Sequence, residues 1–158
     1  MVEVEVVGIR VELPANQPVL VLRELSGDRY LPLWIGNSEA TAISLALDGV
    51  NPPRPLTHDL LVDVIEHLDD QVMSASITEL IDGTYFAQLD FANHDAVSAR
   101  PSDAVAVAIR CGVPIYVAQE VFDEAGMDVI NDDDVENPDE EVEKFRAFLD
   151  EINPEDFS

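Results

Sequence analysis

Two stretches of this chain begin alike. Ser38-Glu39-Ala40-Thr41-Ala42-Ile43-Ser44-Leu45 matches Ser102-Asp103-Ala104-Val105-Ala106-Val107-Ala108-Ile109 at an offset of 64 residues. Each copy follows a strand-like run and a turn-forming pair, Gly36-Asn37 in the first and Arg100-Pro101 in the second. Each then leads through a proline-bearing connector into a further helical segment. A serine cap followed by an acid complements the positive end of a helix, so convergence on a common helix start produces the same pattern. Read instead as a duplication, the match predicts two related strand-strand-helix-helix halves about a pseudo-twofold axis, with Glu39 and Asp103 facing one another. On either reading the alanines let the two helix backbones approach closely.

The remaining periodicities fill in an α+β chain. Residues 2–13 have strand composition, and Val2, Val4 and Val6 alternate with Glu3 and Glu5, the mark of a strand with one wet face. Strands are expected at 19–25 and 29–35, the latter with Pro32 at an edge or bulge. Helices are expected from Ser38 to about Leu47 and from Thr57 to about Leu68. In the second, Leu60, Leu61, Val64, Ile65 and Leu68 form an apolar stripe expected to face the core. The rigid run Asn51-Pro52-Pro53-Arg54-Pro55 separates them. Asp82-Gly83 marks a hairpin between strands at 72–80 and 84–91. A short strand at 96–99 precedes a helix that Ser102 caps and Gly112 ends. A buried strand at 115–118 and a helix at 119–125 follow. The body is expected to span residues 1–130, with an acidic linker at 131–137 and an amphipathic helix and tail at 138–158. That helix either docks on its own body or clasps a neighbouring subunit.

Charge bounds the partners. The sequence has 33 Asp and Glu against 8 Lys and Arg, a net charge of −25. No basic footprint for nucleic acid is visible, and phosphate backbones are repelled at low salt. Seven arginines to one lysine, on so acidic a chain, resemble proteins of salt-loving organisms. In molar salt the Debye length shrinks to about 3 Å, which relieves both the self-repulsion and the repulsion of a phosphate. Uncharged stretches run to about ten residues, far short of the ~20 a membrane helix needs. The N-terminus lacks the basic region and apolar core of an export signal, and Cys111 is the single cysteine, so a reducing cytoplasm is expected.

Few residues are equipped for chemistry. There is no phosphate-binding glycine loop, no nucleophile elbow and no His-x-x-x-His pair. Arg54-Pro55-Leu56-Thr57-His58-Asp59 stands at a helix start, where anions are favoured. There Arg54 suits a phosphate, and His58 or Asp59 a base or a metal ligand. The structural alternative is that Thr57 and Asp59 cap the helix and His58 packs. In Arg100-Pro101-Ser102-Asp103 the guanidinium either pairs with Asp103 or clamps a phosphate or carboxylate with its planar fork. His67 and His94 read as incidental, Cys111 as a buried thiol, and Trp34 as core.

Three stretches in this order and spacing resemble the bifunctional nuclease family. They are Tyr30-Leu31-Pro32-Leu33-Trp34-Ile35-Gly36 with Glu39-Ala40, Arg54-Pro55-Leu56-Thr57-His58-Asp59-Leu60, and Ser98-Ala99-Arg100-Pro101-Ser102-Asp103-Ala104 running into Val113-Pro114-Ile115-Tyr116-Val117. The resemblance covers residues 2–130 and suggests a prokaryotic member. It implies an α+β domain with a mixed, strongly curved, barrel-like sheet flanked by helices, a tendency to self-associate, and cleavage of DNA and RNA. Under that reading the chain is a metal-assisted phosphodiesterase. His58, Asp59 and Asp103 are catalytic, with His58 as general base. Glu39, Asp59 and Asp103 hold Mg²⁺ or Mn²⁺, hard ions that prefer carboxylate oxygen. Arg54, Arg100, Thr57 and Ser102 contact the substrate. Two rivals stand beside it. One is a non-enzymatic homo-oligomeric module in which the same motifs are fold determinants. The other is a small-ligand sensor with an anion site at the paired helix starts.

Overall fold

The computed structural model describes residues 1–128; the linker expected at 131–137 and the helix expected at 138–158 lie outside them. The first half is β1 (Val2–Glu12), β2 (Gln17–Glu24), β3 (Arg29–Trp34), α1 (Asn37–Leu47) and α2 (Thr57–His67). The second is β4 (Val72–Ile81), β5 (Thr84–Phe91), β6 (Val97–Ala99), α3 (Pro101–Cys111), β7 (Ile115–Val117), α4 (Gln119–Ala125) and β8 (Met127–Asp128).

Alternation places Val2 and Val4 of β1 inside and Glu3 outside, as the two-residue period of a strand requires. β1, β2 and β3 form an antiparallel meander, and so do β4, β5 and β6. Asp82 and Gly83 both take positive φ, 50° and 80°, the geometry that a two-residue hairpin turn needs. Pro32 lies opposite Val21 in a part of β3 that β8 does not reach, since β8 pairs only with Arg29 and Tyr30. Its missing N–H therefore interrupts no ladder on that side.

The sheet order is β6-β5-β4-β7-β1-β2-β3-β8. β7 is the seam: parallel to β4 and antiparallel to β1, it sets the two meanders running in opposite directions outward from the centre. Each meander ends in a helix that starts with the matched motif, so the recurring unit is three strands and a helix. The expected strand-strand-helix-helix unit is corrected to that extent, because α1 is followed by a second helix and α3 by a strand. The sheet is mixed, as expected. It is not barrel-like, however: it ends in two unjoined edges, β6 and β8, of three and two residues, and is neither closed nor strongly curled. Strands this short give too little ladder to close a barrel.

α3 is the central helix. Ala104, Val105, Ala106, Val107 and Ala108 are fully buried, and α3 packs on α1, α2, β4 and β5. Gly112 closes it at φ 64°, in the left-handed conformation that glycine adopts without strain. α2 departs from expectation. None of its residues is buried. Val62 and Ile65 pack against the core, while Leu60, Leu61, Val64 and Leu68 are exposed, Leu68 by 67%. The apolar positions of this helix occupy two faces, and one cylinder cannot turn both toward the same core.

Among the described residues, no helix is long and apolar enough to cross a membrane.

Candidate active site

The three helix starts are built without the side-chain caps that their sequences suggest. Gly36, Leu56 and Arg100 occupy the N-cap positions of α1, α2 and α3, and none makes a side-chain capping bond. Ser38, Thr57 and Ser102 fall inside their helices instead. In α2 the cap function passes to Asp59, whose Oδ2 accepts the Leu56 backbone N–H at 3.0 Å. In α3 Pro101 takes the first helical position, where a missing N–H costs nothing.

These starts converge on a chain of charged groups. His58 Nε2 lies 2.9 Å from Asp103 Oδ1. Arg100 Nε donates to Asp103 Oδ2 at 2.8 Å, and its Nη2 donates to Glu39 Oε1 at 2.9 Å. The order His58–Asp103–Arg100–Glu39 therefore links α2, α3 and α1. The two matched acids do face one another, and Arg100 lies between them. Gly36 helps to place Glu39: a Cβ there would collide with the Glu39 carboxylate, so only glycine lets that side chain fold back over the helix start.

Exposure rises along the chain from His58 through Asp103 to Arg100, and falls again at Glu39. The His58 side chain is 12% exposed and that of Arg100 65%. Burial pushes the Asp103 carboxyl up, but hydrogen bonds from Arg100 and His58 outweigh it and hold the group below its ordinary value. Asp103 is thus an ionised acceptor. The bonds to Asp103 and Glu39 push Arg100 up, against the pull of its own partial burial, and it stays charged.

A second anchor lies beside the first. Arg110 Nε donates to Asp59 Oδ1 at 2.8 Å, Nη2 to the Ala42 carbonyl at 3.0 Å and Nη1 to the Ala106 carbonyl at 2.8 Å. One guanidinium with its side chain 9% exposed thereby ties α1, α2 and α3 together. The Arg110 hydrogen bond, helped by the Leu56 N–H, holds the Asp59 carboxyl below its ordinary value. Sequence reasoning missed Arg110. Its signal was a lone arginine seven residues after Asp103, two turns along an otherwise apolar helix.

The predicted site residues thus divide. Glu39, His58, Arg100 and Asp103 form one connected group. Asp59 points to Arg110 and serves the helix start. Thr57 is exposed at the first position of α2, and Ser102 is buried. Arg54, two residues before the α2 cap, is exposed and has no ion pair among the described residues. His94, read as incidental, lies in the loop after β5 and meets Asp70 of the loop before β4. Trp34 is core, as expected, and its indole N–H donates to Glu12 at 3.1 Å. Burial raises the Cys111 thiol, the opposite of what a nucleophile needs.

Among the described residues, no three His, Cys, Asp or Glu side chains are grouped to hold a metal ion. Both Asp103 oxygens and one Glu39 oxygen are taken by Arg100 and His58, and both Asp59 oxygens by Arg110 and the Leu56 N–H. The donors as placed do not fit a resident Mg²⁺ or Mn²⁺.

The predicted site residues and Arg110 fall within residues 20–130, which match the bifunctional nuclease domain. The chain belongs to the bifunctional nuclease domain family. Uncharacterised proteins of two Mycobacterium tuberculosis strains are 55% identical over 161 residues, covering 99% of this chain and 98% of their own length. These bacterial relatives fit a prokaryotic member of the family. Bifunctional nuclease 1 of Oryza sativa subsp. indica is 28% identical over 131 residues, and that of Arabidopsis thaliana 27% over 131. The two plant matches take in 79% and 78% of this chain but 39% and 40% of the plant proteins.

Proposed function

We propose that the chain is a phosphodiesterase acting on RNA or DNA, with His58 as general base. The observation that carries this reading is the His58–Asp103–Arg100–Glu39 chain, buried at its histidine and open at its arginine. Because Asp103 is ionised, it accepts a hydrogen from His58 Nε2, which leaves Nδ1 as the nitrogen free to take a proton from an attacking oxygen. Asp103 then stabilises the imidazolium that results. Phosphate contacts fall to Arg54 and to Nη1 of Arg100, the guanidinium nitrogen that Asp103 and Glu39 leave unengaged. The family's name and the plant relatives' names support the reaction class.

Mg²⁺ or Mn²⁺ enters this reading only with the substrate, since Mg²⁺ commonly binds through one or two carboxylates together with substrate phosphates. The test is hydrolysis of labelled single-stranded RNA and DNA in molar salt, with Mg²⁺, Mn²⁺ or chelator, by wild type and by His58→Ala. Cleavage by the wild type that falls at least about 100-fold in the variant supports the reading. Equal cleavage by both, or none by the wild type under any condition, overturns it.

A second reading, compatible with the first, is self-association through α2. Leu61, Val64 and Leu68 follow the three-and-four spacing of a coiled-coil seam on a face that nothing in the described residues covers. Such a stripe is self-complementary, so a second copy related by a twofold axis meets it with the same residues.

A further inference from the structure

His58 and Asp59 are consecutive, yet they reach α3 at Asp103 and at Arg110, seven residues apart. At 1.5 Å per residue those points lie about 10 Å apart along the helix. Beside the second point is a cleft of about 300 Å³ between α1, the 49–52 connector, α2 and α3. The volume is at the low end for small-molecule sites, room for a ring system rather than a whole nucleotide. Its lining is mainly polar, with Val50, Pro52, Leu56 and Ile109 supplying the apolar surface for the flat face of a heterocycle. The Asp59–Arg110 pair lines it with its charges already matched. Asp63, also lining the cleft, is exposed and has no partner among the described residues.

We propose that this cleft is a nucleobase subsite beside the His58–Asp103 dyad and that it prefers guanine. The proposal rests on the phosphodiesterase reading for its neighbour, but its own chemistry is separate. A free carboxylate accepts two parallel N–H donors, and guanine is the base that presents two adjacent donors on one edge, at N1 and the exocyclic N2. Cytosine and adenine present one amine beside an acceptor, and uracil a single N–H between two carbonyls. The unmatched charge of the cleft is negative, so the base enters it and the phosphate stays outside.

The test is binding of guanosine, cytidine, adenosine and uridine to the full chain in molar salt, read from the backbone amide shifts of Gly49, Val50, Asn51 and Val62. Wild type, His58→Ala and Asp63→Asn are compared. Guanosine is expected to shift these amides and to bind at least about tenfold more tightly than uridine. Asp63→Asn, at an exposed position, abolishes that preference, and His58→Ala retains it. A second variant, Val50→Trp, fills the cleft from its exposed rim and abolishes guanosine binding. Four nucleosides bound equally, or none, overturn the subsite. If the wild type cleaves RNA but guanosine leaves the cleft unshifted, the subsite fails and the dyad stands. If guanosine binds and nothing is cleaved, the subsite stands and the phosphodiesterase reading fails.

Discussion

His58 and Asp103 are 45 residues apart in sequence and 2.9 Å apart in space. The contact depends on α2 starting where it does, because Asp59 fixes the first turn through the Leu56 N–H and presents its neighbour to α3. An Asp103→Asn variant keeps the shape and loses the charge. The amide then donates to Nε2 and forces the hydrogen onto Nδ1, the nitrogen required as base. Hydrolysis is expected to fall about 100-fold or more, while the circular dichroism stays near wild type and the unfolding midpoint falls by the share that the Asp103 charge contributes. Retained activity would rule out His58 as the base.

Stability should depend on acid in a way the two anchors dictate. Asp59 and Asp103 both titrate below their ordinary value in the folded chain, Asp59 through Arg110 and Asp103 through Arg100 and His58 against the opposing effect of burial. A lowered folded pKa stabilises above the unfolded value of about 3.9. That contribution is lost as pH falls through the lower folded value. Urea unfolding between pH 7 and pH 2.5 should show a loss of stability below about pH 4 that is shallower in Asp59→Asn. An unchanged pH dependence in that variant would remove Asp59 as a contributor.

Arg110 is the residue most exposed to substitution in energetic terms. Arg110→Ala removes the Ala42 carbonyl's Arg110 donor and leaves the Asp59 carboxylate with the Leu56 N–H alone, and breaking such a pair costs about 3 kcal/mol. Arg110→Lys should recover little, since one ammonium lacks the planar fork that reaches three acceptors. Urea midpoints of the three proteins measure this directly.

Much of this was legible in the sequence, and the misses have physical causes. The matched helix starts singled out Glu39 and Asp103, which the structure brings together through Arg100, because an acid in a first turn is a local signal. Arg110 left almost none: its partners are a carbonyl of α1 and an acid of α2, set by tertiary packing. The α2 stripe was read as core because periodicity identifies a helix face but not what lies opposite it. Val62 and Ile65 face inward, and Leu60, Leu61, Val64 and Leu68 do not. β7 is three residues long, and nothing in Ile115-Tyr116-Val117 tells which strands flank it. The ending of the sheet in two unjoined edges was equally hidden, since it depends on how short β6 and β8 are.

Gly36 provides a separable test of the outer half of the site. Gly36→Ala drives the Glu39 carboxylate away from its position. The displaced group is the end of a flexible side chain, so stability should change by less than about 1 kcal/mol, near the cost of one hydrogen bond. Arg100 then loses one of its two acid partners and offers more of its charge to a phosphate. Both Gly36→Ala and Glu39→Gln should bind a short oligonucleotide more tightly than wild type at low salt. Fluorescence anisotropy on the His58→Ala background, where no substrate is consumed, gives the comparison. Weaker binding by both variants would mean that Glu39 positions Arg100 rather than competes for it.

The exposed face of α2 makes a prediction of opposite sign in salt. Two chains of net charge −25 repel, and at 0.1 M ionic strength the screening length is still about 10 Å. Raising salt to 1 M shortens it to about 3 Å and leaves the apolar contact intact. Self-association through Leu61, Val64 and Leu68 should therefore strengthen with salt, whereas phosphate binding weakens. Leu61→Glu, at a position already 40% exposed, should leave the fold unchanged and weaken association at least about tenfold. Sedimentation equilibrium in 0.1 M and 1 M salt reads both effects. A monomer at every salt concentration, or an oligomer indifferent to Leu61→Glu, would exclude α2 as the contact.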